Sequence, residues 1–263
     1  QPAACVPSRN ITVLYAYSTD IDYYTYNWGV YHMVFYADAY TTMANVRFDT
    51  KQEEEIEYHS DKNSLKDSLN SHKPDPSLGY GDWTTGSNLY TVLKKFLNNG
   101  NVSICGALVF IAVKRYPDES DVSDIISQLR ANHVIVYIAV DSIPSGGSNS
   151  ATLYEMSFET NGYCAFATGS DLSNVSSFRK TLDNSFVSMS YTIESTDGTY
   201  VYKYPSHDAA PLYGTGQSDL LWCDGSLSYK WTIDYQYNTD APQIIECRMY
   251  SYFYHDFVPL PDF

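Results

Sequence analysis

Basic residues are scarce in this sequence: 16 Lys and Arg stand against 31 Asp and Glu, giving a formal net charge of −15. Such a surface repels phosphate backbones and anionic lipid, which excludes nucleic acid and membrane surfaces as partners. Long apolar runs are missing too. No stretch approaches the roughly 20 residues needed to cross a bilayer, so no membrane insertion is expected. The 5 Cys and 6 His form no CxxC pair and no zinc-type spacing. A nucleophile elbow is absent, and the segment after the first apolar run, AYSTDID at residues 16–22, carries no phosphate-cradling glycines. His32, His59, His72, His133, His207 and His255 are scattered over expected helix ends and loops, the usual place of a solvated imidazole. These absences argue against a catalytic set and a bound cofactor, and the expectation is a non-enzymatic chain. Internal repeats and low-complexity tracts are absent as well.

What is present is a chain of 263 residues with 44% apolar content, enough for one domain of about 180 residues and a small second one. It begins at Gln1, the kind of start a cleaved secretory signal leaves. Asn10, Asn101 and Asn174 each begin an Asn-x-Ser/Thr acceptor, as expected of a secreted, extracellular glycoprotein. In that setting the cysteines are read as disulfides, with an odd one left over. The 26 tyrosines are the least ordinary feature. Amphipathic rings suit contact surfaces, and they also suit the strands of a β-rich chain; composition leaves both readings open.

Residues 11–17, ITVLYAY, form an apolar run without alternation, as in a central strand covered on both faces. Apolar spacing predicts a helix over 27–40, a strand at 43–50, a short edge strand near Ile56 and an amphipathic helix at 62–72. A helix after Ser87, strands at 104–113 and 134–140 with a helix between them, a short helix at 151–158, a strand at 163–167 and a last helix at 175–186 complete the alternation. Strand and helix in turn imply right-handed crossovers and an α/β, doubly wound, mainly parallel sheet. From residue 187 the period changes to two, with Asp197-Gly198 as a turn signal. The expected organisation is therefore an α/β domain at 1–186 and a small antiparallel β-sandwich at 187–263, stapled by Cys223–Cys247.

VRFDT at 46–50, TTGSNLYTVLKKFL at 84–97 and LRANHVIVYIAV at 129–140 resemble the second strand, third-helix start and fifth-strand approach of a von Willebrand factor type A (vWA) domain. KRYPDESD, LRANHVIVYIAV and TNGYCAF are also similar to segments of secreted nematode proteins that join such domains to lectin-like or CUB-like modules. The resemblance implies a metal-dependent adhesion site: an Asp-x-Ser-x-Ser after the first strand, a Thr heading the third helix and an Asp after the fourth strand. The matching residues here are Ala16, Ser18, Asp20, Ser87 and Val113, followed by Lys114. Both acidic anchors are replaced, so the expectation is a degenerate site without metal. Lys114 and Arg115 would then stand in for the lost ion, binding an acidic group of a partner or pairing internally with Asp20. The family's strand order also places Cys105 and Cys164 about 10 Å apart, beyond the roughly 7 Å a disulfide spans. Cys5 precedes the first strand, which neighbours the fourth, so Cys5–Cys105 is favoured and Cys164 is left over.

The resulting expectation is a secreted adhesion or recognition protein. It would bind an extracellular protein or glycan through loops at the carboxyl edge of the sheet, with Asp20, Ser87, Lys114 and Arg115 as candidate contacts. The alternative is a homo-oligomer, a self-assembling subunit of an extracellular matrix or filament built through Tyr-rich faces and the aromatic-proline tail, DFVPLPDF.

Overall fold

The computed structural model describes Cys5, residues 11–169, Leu172, residues 186–204 and residues 221–240. The chain divides into two compact units. In the first, β1 (Thr12–Ser18), β2 (Thr42–Phe48), β4 (Leu108–Val113), β5 (Ile135–Asp141) and β6 (Tyr163–Ala167) run parallel, and β3 (Glu57–His59) closes one edge antiparallel to β2. The order is β3-β2-β1-β4-β5-β6, a doubly wound sheet that changes direction at β1 and β4.

Alternation along β1 builds two cores. Leu14 and Ala16 face a mainly aliphatic layer with Val46, Phe48, Val109, Ile111, Val136 and Ile138. Over it lie α3 (Leu89–Leu97), α4 (Ser123–Ala131) and α5 (Ala151–Glu159), through Leu93, Phe96, Ile125, Leu129, Leu153 and Met156. Val13, Tyr15 and Tyr17 face the other way, with Tyr26 and Met33 of α1 (Tyr23–Phe35) and Leu65 and Leu69 of α2 (Lys62–Ser71). Here tyrosine is core. The rings of Tyr15, Tyr17 and Tyr26 lie within 4.9–6.2 Å of one another. Each hydroxyl donates to a main-chain carbonyl: Tyr15 to Tyr26, Tyr17 to His72 and Tyr26 to Leu69.

The first helix begins at Tyr23, earlier than the expected 27, because Asp22 caps it by accepting from the Thr25 amide at 2.9 Å. It also ends sooner, at Phe35, with a single 3-10 turn following. Gly29 lets α1 lie directly on the sheet, since a Cβ there would sit 2.2 Å from the Tyr15 ring. Cys5–Cys105 is formed, with Cα atoms 5.6 Å apart, as the neighbouring of β1 and β4 requires. Cys164 is free, and burial pushes its thiol up to about 12.

The described part of the second unit is one antiparallel sheet, β8-β7-β9, formed by β7 (Phe186–Ser195), β8 (Val201–Tyr204) and β9 (Tyr229–Tyr237). A single layer replaces the expected sandwich among the described residues. Phe186, expected to end a helix, opens β7; the rest of the helix expected at 175–186 lies outside the described residues. Register sets Met189, Tyr191, Ile193, Tyr202, Tyr204, Trp231 and Ile233 on one face and Ser190, Thr192, Glu194, Lys203, Lys230 and Asp234 on the other. Asp197 and Gly198 turn β7 into β8 as expected, with Gly198 at φ 73° and Asp197 accepting from the Ser195 hydroxyl and the Thr199 amide. The expected Cys223–Cys247 staple is corrected: Cys223 is free and exposed, while Cys247 lies outside the described residues.

Candidate functional site

Parallel strands end together, so the loops after β1, β2, β4 and β5 share one edge of the sheet with the start of α3. Ser18 ends β1 with its side chain wholly buried, and Ser87 is buried just before α3. Asp49, the residue after β2, lies between them; sequence reasoning did not select it. Its backbone is left-handed, φ 65°, a conformation that Asp tolerates better than most residues. Ser18 Oγ donates to Asp49 Oδ2 at 2.9 Å, Ser87 Oγ to Oδ1 at 2.6 Å, and the Asn88 amide to Oδ1 at 3.1 Å. The Asp49 amide in turn donates to Asn88 Oδ1. Ser18 Oγ also accepts from the Lys114 amide at 3.0 Å, which ties β4 into the same knot. Burial pushes the Asp49 carboxyl up to about 7; the bonds from Ser87, Ser18 and Asn88 pull the other way, and the charge of Asp20 adds to the rise.

The divalent cation implied by the vWA resemblance can be tested against these atoms. Ala16 and Val113 are fully buried and offer only hydrocarbon. Asp49 Oδ1 accepts two hydrogen bonds and Oδ2 one, so the single carboxyl group at the centre is already engaged by Ser18, Ser87 and Asn88. Asp20 Oδ1 is buried without a hydrogen-bond partner, so Asp20 is the carboxylate of this group left outside the knot. Magnesium demands a near-octahedral oxygen set and calcium six to eight oxygens, so the residues present do not fit the ion.

Lys114 and Arg115 depart from expectation. Lys114 does not pair with Asp20: its Nζ lies 2.7 Å from Asp141 Oδ2 and donates to the Ile143 carbonyl at 2.6 Å. Asp141, at the end of β5, also accepts from the Ile143 amide at 2.9 Å, so Lys114 and Asp141 together grip the loop after β5. Arg115 is no surface contact. It is 3% exposed, lies 5.3 Å from the centre of the Tyr80 ring, and donates to the carbonyls of Thr85 at 2.6 Å and Asp82 at 2.9 Å. The two cations that sequence reasoning offered to a partner instead brace two loops from within, and those loops present Trp83 and Ile143 to solvent. Of the four candidate contacts, the structure leaves Asp20 partly open and buries Ser87 and Arg115; Lys114 is committed to Asp141.

Residues 145–252 match the family described as "Domain of unknown function (DUF7154)", a span that starts after β5 and runs into the second unit. No curated protein matches the chain. Solved structures similar to it include a von Willebrand factor type A protein from Catenulispora acidiphila, at 10% identity and TM-score 0.43 over 73% of this chain and 47% of that one. Proximal thread matrix protein 1 from the mussel byssus is similar at 16% identity and TM-score 0.43, over 66% and 47%. The human COPII-coat protein Sec24c is similar at 8% identity and TM-score 0.39, over 72% and 34%. This chain therefore spans less than half the length of each.

The remaining sequence-based sites are divided. Asn101 is exposed in the turn after α3, whereas Asn10 and Asn174 lie outside the described residues. No helix among the described residues is long and apolar enough to cross a membrane. Asp49 and Asp141 shared one overlooked signal, an acidic residue at the carboxyl end of an apolar parallel strand. Trp83 carried another, a bulky apolar residue in an otherwise polar turn.

Proposed function

We propose that this chain is a secreted, glycosylated, non-enzymatic recognition protein, and that it binds an extracellular protein or glycan through the loops at the carboxyl edge of its parallel sheet. The observation that carries this reading is the bracing of the two exposed loops: buried Arg115 holds the carbonyls on either side of Trp83, and Lys114 with Asp141 holds Ile143. A side chain displayed on backbone fixed in advance loses little entropy on binding, and an exposed Trp is the residue type most often central to an interface. The chemistry of the buried knot supports a role other than turnover. Ser18 and Ser87 donate to a carboxyl group, while the His32 ring packs tilted against Phe110, His59 bonds Asn45 and His72 bonds the Ser68 carbonyl. The disulfide fits an oxidising compartment.

The test is retention of the purified chain on an array of defined extracellular-matrix proteins and neutral and acidic glycans. Trp83→Ala and Ile143→Ala should each lose on the order of tenfold in affinity for the retained probe. Lys114→Ala should weaken binding less, through loosening of the Ile143 loop. Unchanged retention in both Trp83→Ala and Ile143→Ala would overturn the reading.

A further inference from the structure

The outer side of α1 is at odds with its neighbours. Between Tyr23 and Ala37 there is no Asp, Glu, Lys or Arg, in a chain whose net charge is −15. Instead Tyr24, Trp28, Tyr31 and Phe35 are exposed by 76%, 42%, 56% and 59%. Their spacing of four, three and four residues is the a/d spacing of a coiled-coil seam, and it draws one straight aromatic stripe about 16 Å long down the helix. The helix has already satisfied its own domain through the opposite side, where Thr25, Tyr26 and Met33 are buried.

We propose that this stripe is the contact between two copies of the chain, with two α1 helices packed antiparallel across a two-fold axis. Five considerations favour a second copy as the occupant. The stripe is its own complement: reversed about its midpoint, between Gly29 and Val30, it sets Tyr24 against Phe35 of the other copy and Trp28 against Tyr31, as an isologous interface requires. Charge agrees along the stripe itself, which carries no carboxylate between Asp22 and Asp38, so two acidic copies can approach there, and a basic partner would find nothing on it to read. Antiparallel pairing also sets opposite helix dipoles side by side.

Area sets the strength of the contact. At about 200 Å² per aromatic side chain, the four rings leave on the order of 450 Å² open. Two copies would then bury on the order of 900 Å², the size of a weak, reversible contact. Finally, the rings do not share one plane as a flat platform for sugar faces would. Trp28 meets Tyr31 at 81°, while Tyr31 and Phe35 lie at 24° to each other.

This surface lies on a helix over one face of the sheet and does not involve the edge that presents Trp83 and Ile143, so Trp83→Ala should leave self-association unchanged. The test is sedimentation velocity of the full chain from about 1 to about 100 μM, where a weak interface of this size passes from monomer to dimer. Trp28→Lys alone and Tyr31→Glu alone should each weaken self-association by about tenfold or more. Mixed in equal amounts, they should associate again, because antiparallel pairing sets the introduced ammonium of one copy against the introduced carboxylate of the other and leaves the second Trp28–Tyr31 pair intact. Restoration in the mixture also shows that both variants are folded. A wild-type monomer at about 100 μM would overturn the proposal. So would a dimer untouched by either charge, a mixture that stays monomeric, or Trp28 fluorescence that responds to chitotetraose in a chain that does not self-associate.

Discussion

The two faces of the six-stranded sheet solve the same packing problem with different chemistry. Under α3, α4 and α5 the filling is chiefly Leu, Val, Ile and Phe, which asks only for shape and exclusion of water. Under α1 and α2 it is built around Tyr15, Tyr17 and Tyr26, which bury as much ring but must also bring each hydroxyl to an acceptor. The acceptors are main-chain carbonyls of Tyr26, Leu69 and His72, so the tyrosines fix where the two helices sit as well as filling the space beneath them. One face is held by volume, the other by volume and direction.

The largest expected effect lies on the aliphatic side. Phe96→Ala should cost about 3–5 kcal/mol in urea unfolding, because the ring is wholly buried among large neighbours. A cost near 1 kcal/mol would mean that this face tolerates voids, and the contrast would fail. Next comes Asp49, at the edge where the strands end. Its ordinary value of 3.8 applies to the unfolded chain and about 7 to the folded one, so the folded state keeps a proton that the unfolded chain has released across that window. The neutral carboxyl therefore favours folding fully below pH 4, and the advantage is lost as pH rises towards 7, with an upper limit on the order of 4 kcal/mol. Asp49→Asn should flatten this dependence; equal pH profiles for the two proteins would show that Asp49 is not the group responsible.

Smaller effects sharpen the description of the tyrosine face. Gly29→Ala should cost about 1–3 kcal/mol, since the new methyl meets the Tyr15 ring and α1 must lift. Near-UV circular dichroism should change with it, because the tyrosines are re-packed. Tyr17→Phe keeps the ring and loses only the bond to the His72 carbonyl, so about 1 kcal/mol is expected. If Tyr17→Phe were neutral while Gly29→Ala was costly, volume alone would hold this face as it holds the other.

The parallel strands were legible because buried strands are continuous apolar runs: residues 134–140 and 163–167 were located to within one residue. α1 was legible as a helix but not in its limits. Periodicity identifies a buried stripe by contrast with a polar side, and α1 has aromatic residues on both, so the apolar positions Val30, Val34 and Tyr40 suggested a register shifted towards the C-terminus. Asp22 was the missed signal, a cap whose carboxyl binds the Thr25 amide. The edge was harder still. Sequence matching compared each position with its counterpart in a resembling family, and so registered the loss of carboxylates at 16 and 113 without registering that Asp49 enters the same space from the adjacent strand. Lys114 and Arg115 stand where the resemblance expects an ion, which suggested a partner's acidic group or Asp20 as their target; their bonds to Ile143, Thr85 and Asp82 are long-range contacts that no local pattern encodes.

The disulfide between Cys5 and Cys105 closes a ring around the stretch that contains β1, α1, β2, β3, α2 and α3. Tension applied to the chain ahead of Cys5 would pass straight through the sulfur atoms to the segment entering β4, bypassing everything inside the ring. Those elements can be torn apart only after the covalent bond is cut. A pull from that end is thus delivered to the middle of the sheet, where β4 is flanked by β1 and β5, rather than to a strand that could be peeled from an edge.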